Sequence, residues 1–432
     1  MWIRNGRLID PHNRIDGEYD LRIEGGRITA VVGRGEAEPA GSPEEERVEA
    51  AGKWVVPGLV DMHCHLREPG FEYKESILSG TRAAAAGGFT SVACMANTIP
   101  VNDNPAITEF ILGKARREGI VNVFPIGAAT VGLAGESLAE IGQMREAGIV
   151  AVSDDGNPIM NSDVFRRVFE YANMFHLVVI SHCEDSDLVG RGVMHEGLIS
   201  TRLGLNGVPS AAEEVMVARD LILAEMTGGR LHVAHVSTTG AIHKIREAKD
   251  RGIDVTAEAT PHHLTLTDEA VSNFNPDAKM APPLRSESDV RALREAVRDG
   301  TIDVIATDHA PHSPVEKDVE FDKAPNGIVG LETALPLILK IVRDGDLPLE
   351  TAIQRITSAP SSILRLDKGH LSVGAEADVT LIDPDLEYEL DPKQFYSKSR
   401  NTPYAGWKMR GRAIRTIVGG KTVFDLDRGG IL

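Results

Sequence analysis

A chain of 432 residues, 42% hydrophobic and 25% charged, is an ordinary globular protein with room for one large barrel or two to three smaller domains. Its net charge of −18 argues against nucleic acid or an anionic membrane as partner, yet leaves room for a small anionic substrate gripped by a local arginine. No stretch approaches the roughly 18 apolar residues of a membrane span, and the opening MWIRNGRLIDPHNRIDG has no apolar core of signal-peptide length, so the expected location is the cytoplasm.

Residues 1–54 read as short strands. IRNGRLID, DLRIEGGRITAVVG and VEAAGKWVV alternate apolar and polar positions around Gly and Asn-Gly turns, and GEAEPAGSPEEER reads as a polar loop. From Val55 the rhythm becomes strand then helix. The expected strands are WVVPGLVDMH, TSVACMA, VNVFPIG, GIVAVS, LVVISH, RLHVAHV, IDVTAEA and IDVIATD. Helical patterns lie between them, from ESILSGTRAAAAGG to SDVRALREAVRDG, and GLETALPLILKIVRDG follows the eighth strand. Many end in Gly, which suits a left-handed cap. Eight such units over residues 55–364 predict an α/β fold, a (β/α)8 TIM-type barrel, in preference to a doubly wound open sheet. Residues 365–432 return to strands, and the simplest architecture pairs them with 1–54 in one small β domain. Spacing makes the Met and Phe residues of FRRVFEYANMF helix-core residues. The odd, scattered set Cys64, Cys94 and Cys183 fits a reducing compartment rather than a disulfide framework.

Active-site residues of such barrels stand at the C-terminal strand ends. The first strand ends in Asp61-Met62-His63-Cys64-His65 and the fourth in Ser153-Asp154-Asp155-Gly156. The fifth ends in Ser181-His182-Cys183-Glu184, the sixth in Ala234-His235-Val236-Ser237 and the eighth in Thr307-Asp308-His309-Ala310. His63 and His65 share one side of an extended chain and can reach one metal, which leaves Cys64 to packing. His and Asp are suitable zinc ligands in sites that keep a position open for water. Four His and two Asp on five strand ends facing one mouth therefore point to a metal centre. Either Asp154 or Asp155 can serve, since one residue flips the side chain to the other face. His232 should face away from His235, and the adjacent His262 and His263 should point to opposite faces.

HCHLREPG, MANT, VSDDG, SHCED, AHVST, PHHLT, APPLR and ATDHAPH, in that order, resemble the amidohydrolase superfamily and, within it, the class I dihydroorotase family over nearly the whole chain. The resemblance implies a barrel flanked by a β-sandwich made from both chain ends. It implies one zinc on His63, His65 and Asp308, a second on His182 and His235, and Asp155 touching or bridging both. Related cyclic-amide hydrolases use a carbamylated lysine there, and IVAVSDDG has none. The implied reaction is reversible zinc-dependent hydrolysis of the cyclic amide of dihydroorotate to N-carbamoyl-aspartate, in pyrimidine biosynthesis, with Asp308 moving the proton. The implied substrate contacts are His65, Arg67 and Asn97, with both Arg67 and Asn97 on the carboxylate. His312 contacts the ring or its carboxylate, and the backbone at Asn326 and Gly327 contributes. Family members commonly have Asn before Pro-Pro-Leu-Arg; Ala281 stands here, so only backbone could serve. Ser313–Gly330 reads as a mobile lid.

The competing activities are those of hydantoinases, dihydropyrimidinases and allantoinases, which need the lysine; Arg67 and Asn97 favour a carboxylated ring. A non-catalytic partner subunit would be expected to lose metal ligands, and all six are present. A homo-oligomer is expected, and assembly with aspartate transcarbamoylase is left open.

Overall fold

The computed structural model describes residues 1–33, 35–36 and 46–432, so most of GEAEPAGSPEEER lies outside the described residues. Eight parallel strands form the barrel. Leu59–Cys64, Phe89–Cys94 and Asn122–Pro125 pair in that order. Ala151–Ser153, Val178–Ser181, Leu231–Val233, Val255–Ala259 and Val304–Ile305 pair likewise. Single parallel bridges, Gly127 to Val152 and Cys64 to His309, join the two groups and close the ring.

Each helical pattern read from the sequence is a helix. They run Ile77–Gly87, Pro105–Glu118, Ile141–Ala147, Ser162–Met174, Ala211–Thr227, Thr239–Asp250, Glu287–Asp299 and Ala334–Arg343. Gly300 ends one of them at φ 89°, where a side chain would be strained. In Ser162–Met174 the residues Phe165, Val168, Phe169 and Ala172 are buried at helical spacing, but Met174 is 72% exposed. It lies off that stripe in the last turn, so the core assignment fails for Met174. Two helices not read from the sequence, Leu349–Arg355 and Ser358–Leu364, follow the barrel. They are short and punctuated by Pro348 and Pro360, which weakens any periodic signal. Ile363 and Leu364 join the barrel-interior cluster beside Val178 and Val304, so the second helix covers the N-terminal end. No described helix is long and apolar enough to cross a membrane.

Among the described residues, both chain ends build one nine-stranded sheet. Strands far apart in its order share a core that includes Ile3, Leu21, Ile28, Val55, Val379 and Ile417, so the sheet folds over on itself. The run WVVPGLVDMH is divided between the two units. Trp54–Pro57 pairs with Trp2–Asp10 and, antiparallel, with Val379–Glu389, so Val55–Pro57 belong to the sheet and not to the barrel. Both halves are buried apart from the half-buried Trp54, so hydrophobicity does not mark the break. Gly58 marks it by close approach: a Cβ there would overlap Thr90 Oγ1 and Cγ2 and stand 2.7 Å from Thr90 Cβ. The C-terminal segment is divided too. Between the strands Val379–Glu389 and Lys408–Val418, it travels to the barrel mouth, where Ser397 Oγ donates to Glu75 and Asn401 Nδ2 to Ala310 O.

Gly58→Ala should cost ~1–3 kcal/mol by overpacking the joint. Thermal unfolding should show the lowered midpoint. Thr90→Ala in the same chain should recover part of it, and an unchanged midpoint for Gly58→Ala would refute the tight joint.

Candidate metal centre and active site

Two buried triads stand at the mouth, His63, His65 and Asp155, and Asp155, His182 and His235, with the ligand atoms of each within 4.8 Å of one another. Asp155 belongs to both. Its Oδ1 lies 3.5 Å from His63 Nε2, 3.6 Å from His182 Nδ1 and 3.4 Å from His235 Nε2, and its Oδ2 lies 3.5 Å from His65 Nε2. Asp308 Oδ1 lies 3.5 Å from His63 Nε2 and 3.2 Å from His65 Nε2. His182 Nδ1 and His235 Nε2 face each other at 2.9 Å.

His63 Nε2 and Asp155 Oδ1 are buried with no hydrogen-bond partner. Orphaned polar atoms in a core are costly. Lone pairs of imidazole and carboxylate converging on two points fit two divalent cations. The donor orientations agree. His63 Nδ1 is 2.5 Å from Glu258 Oε1, so its Nε2 is turned to the carboxylates. His65 Nδ1 is 2.9 Å from Asn97 Oδ1, and His182 Nε2 is 3.0 Å from Glu184 Oε2. Outer partners of this kind hold ligand rings in place.

Electrostatics supports the same geometry. Burial alone would raise the Asp155 pKa, but His63, His182 and His235 hold it well below the usual carboxylate range. Burial would lower His182, but Asp155 and Glu184 push it up to about 10. Burial opposes His63 likewise, and Glu258 and Asp155 raise it well above its ordinary value. Protons balance these carboxylates here, and a cation that displaced them would release those protons.

Local structure brings the groups to this point. Asp61 accepts from Thr307 N at 2.9 Å and Thr307 Oγ1 at 2.6 Å, tying the first strand to the eighth. Arg67, His235 and Asp308 all hold positive φ, at 62°, 31° and 44°. Strained backbone in non-glycine residues is characteristic of functional sites. Of the two adjacent aspartates, Asp155 faces the imidazoles. Asp154 points away: its Oδ1 accepts from the amides of Ala129 at 2.8 Å and Thr130 at 3.0 Å, and its Oδ2 from the Thr130 hydroxyl.

His63 lies beneath the mouth, fully buried; the other predicted site residues line a cavity of about 570 Å3 above it. Arg67 reaches into it, with Nε donating to Pro311 O at 3.3 Å. Asn97 has its Oδ1 committed to His65, which leaves its amide Nδ2 to donate. His312 Nε2 donates to Asn326 O at 2.8 Å. Burial, then Arg67, lowers His312 to about 2, so its free Nδ1 accepts and suits a ring N–H rather than a carboxylate. Gly327 N–H donates to Lys279 O at 2.9 Å and Gly327 O accepts from Asn401 Nδ2 at 3.0 Å, so its backbone already has partners. Ala281 lines the cavity with a methyl group. The segment Ser313–Gly330 crosses the mouth with a short helix, Pro314–Lys317, and Lys317 is buried, donating to Pro276 O at 3.0 Å and Pro325 O at 2.8 Å.

The remaining histidines are placed differently from the strand-based expectation. His262 and His263 sit on a short helix, Pro261–Thr265, with ring centroids 4.5 Å apart, so strand alternation does not apply to them. His263 bonds Thr260 Oγ1 and Pro282 O; His262 Nε2 has no partner. The His232 ring meets Glu258 Oε2, and the His235 backbone amide donates to Oε1 of the same carboxylate. Three contributors escaped the sequence reading. Glu184 shares the side of His182 two residues away, a usable signal. Glu258 is an acid inside a mostly buried strand, which is a usable signal. Asn401, from the distant C-terminal segment, gave none.

Asp155→Asn keeps the shape and removes the charge shared by the two triads. Metal analysis of the purified variant should show loss from at least the His182/His235 site. Asp154→Asn should keep its metal and lose ~1–3 kcal/mol of stability instead. The reverse pattern would overturn the ligand assignment.

The dihydro-orotase-like family model matches residues 52–241. A relative from Syntrophotalea carbinolica, named dihydroorotase, is 56% identical over 425 residues, covering 98% of this chain and 99% of its own. A second, from Citrifermentans bemidjiense and of the same name, is 55% identical with the same coverage. Among solved structures, the L-hydantoinase of Arthrobacter aurescens superposes with a TM-score of 0.85 at 26% identity, covering all of this chain and 97% of that one. The dihydropyrimidinase of Brevibacillus agri gives 0.84 at 22% identity, covering 98% and 95%, a likeness of fold. Identity above one half along practically the full length, in a chain whose strand ends converge on two metal triads, means that it belongs to the dihydroorotase family.

Proposed function

We propose that the protein hydrolyses the ring amide of dihydroorotate to N-carbamoyl-aspartate, reversibly, with Zn2+ at both triads. The observation that carries this reading is Asp155 set among four imidazole nitrogens, with Asp308 and Arg67 facing the same cavity. His63, His65 and Asp308 would hold one cation, His182 and His235 the other, and Asp155 both. A carboxylate of the chain itself fills the position between them, so no modified lysine is required. Zinc bound there would polarise the ring carbonyl and lower the pKa of the attacking water.

The remaining work falls to side chains. Arg67 meets the substrate carboxylate with a planar, two-pronged donor. The Asn97 amide N–H2 adds a donor, and His312 Nδ1 accepts a ring N–H. Asp308 accepts the proton of the attacking water and passes it to the departing ring nitrogen. Burial would raise the Asp308 pKa, but His63 and His65 hold it below the ordinary carboxylate range. Ring opening therefore starts with the form of Asp308 that is present at neutral pH, and closure needs the scarce protonated form.

Opening should gain rate as pH rises and closure as pH falls, with one shared ionisation, in pH–rate profiles run in both directions. Asp308→Ala should lose ~100-fold or more in each direction. Parallel profiles, or near-normal turnover in Asp308→Ala, would place the shuttle elsewhere. Arg67→Ala should act mainly on KM, lowering kcat/KM roughly 10–100-fold through loss of a charge-assisted contact. A variant with unchanged KM would remove Arg67 from the carboxylate site.

A further inference from the structure

Beneath the site, Glu258 lies in the barrel interior with no exposure. Its Oε1 is 2.5 Å from His63 Nδ1 and also accepts the His235 amide at 3.3 Å. Its Oε2 is 3.1 Å from His232 Nε2, and His232 Nδ1 is 2.8 Å from Thr256 Oγ1. Neither Lys nor Arg is among these contacts. A buried carboxylate is expensive to keep away from water, and an apolar residue of like volume would serve packing better. What Glu258 does that an apolar residue cannot is hold a proton on His63 Nδ1, so that a cation would meet the ring at Nε2, which faces Asp155 and Asp308.

The four imidazoles are held unequally. His65 has a neutral amide behind it, His182 has a carboxylate at the cavity wall, and His235 Nδ1 has no partner. Only His63 is backed by a fully buried carboxylate that a further imidazole keeps in place.

We infer that Glu258, held by His232, is the positioning residue that sets cation affinity at the His63/His65 site and makes it the tighter of the two. This rests on the reading of His63 as a metal ligand. The amide of Glu258→Gln can still accept from His63 Nδ1. Its NH2 then meets His232, whose ring can exchange tautomers and donate to Thr256 Oγ1. The substitution removes charge while keeping shape.

The test is a Co2+ titration of the metal-free full chain, followed by visible absorption. The two steps are assigned with His235→Ala, which keeps His63, His65 and Asp308. Glu258→Gln should weaken the first site ~10–100-fold and leave the second within about threefold. His232→Asn keeps the contact to Thr256 but deletes the donor to Glu258, and should weaken the first site too. His232→Gln restores that donor and should recover most of the affinity. Equal affinities in Glu258→Gln and the unsubstituted protein, or equal losses at both sites, overturn the inference. If Glu258→Gln does not fold, the His232 pair decides, and identical first-site affinities for Asn and Gln overturn it. An unsubstituted chain that takes up no Co2+ would instead overturn the metal reading itself.

Discussion

The structure depends on placing one carboxylate, Asp155, among four imidazole nitrogens in a buried mouth. Ionisable groups leave water at a high cost, repaid only when each is paired or coordinates a cation. Here the pairing spreads outward: Asp308 meets His63 and His65, Glu258 backs His63, and Glu184 backs His182. Two points remain where the nitrogen and oxygen donors of imidazole and carboxylate converge. That geometry suits two divalent cations.

That convergence depends on closing the barrel. His63 and Asp308 come from the first and eighth strands, and the clasp of Asp61 on Thr307 spans the same seam. The sheet unit takes part as well. Asn401 ties His312, Ala310 and Gly327 together, and Ser397 reaches Glu75, which also meets His309 beside Asp308. A segment next to the sheet in sequence therefore braces the loops that face the substrate cavity, and the small unit is more than an appendage.

The substrate side shows how an outer contact restricts chemistry. With Nε2 committed to Asn326 O and Arg67 nearby, His312 stays neutral and presents an acceptor. With Oδ1 committed to His65, Asn97 presents a donor. A guanidinium, a donor and an acceptor in one cavity match a ring that carries both a carboxylate and an N–H.

The sequence by itself determined the eight strand–helix units and the strand ends bearing His63, His65, His182, His235 and Asp308. Hydrophobic period and turn chemistry are local properties, and polar residues ending buried strands stand out against them. Tertiary structure decided the rest. It chose Asp155 over Asp154, because the Ala129 and Thr130 amides that claim Asp154 come from another strand's loop. It split WVVPGLVDMH at Gly58, because two buried strands in different sheets have the same apolar signature. It recruited Glu258, His232 and Asn401, whose roles arise only where distant segments meet. Periodicity reports which face of an element is buried, but a hydrogen-bond partner supplied by another element has no trace in the local pattern.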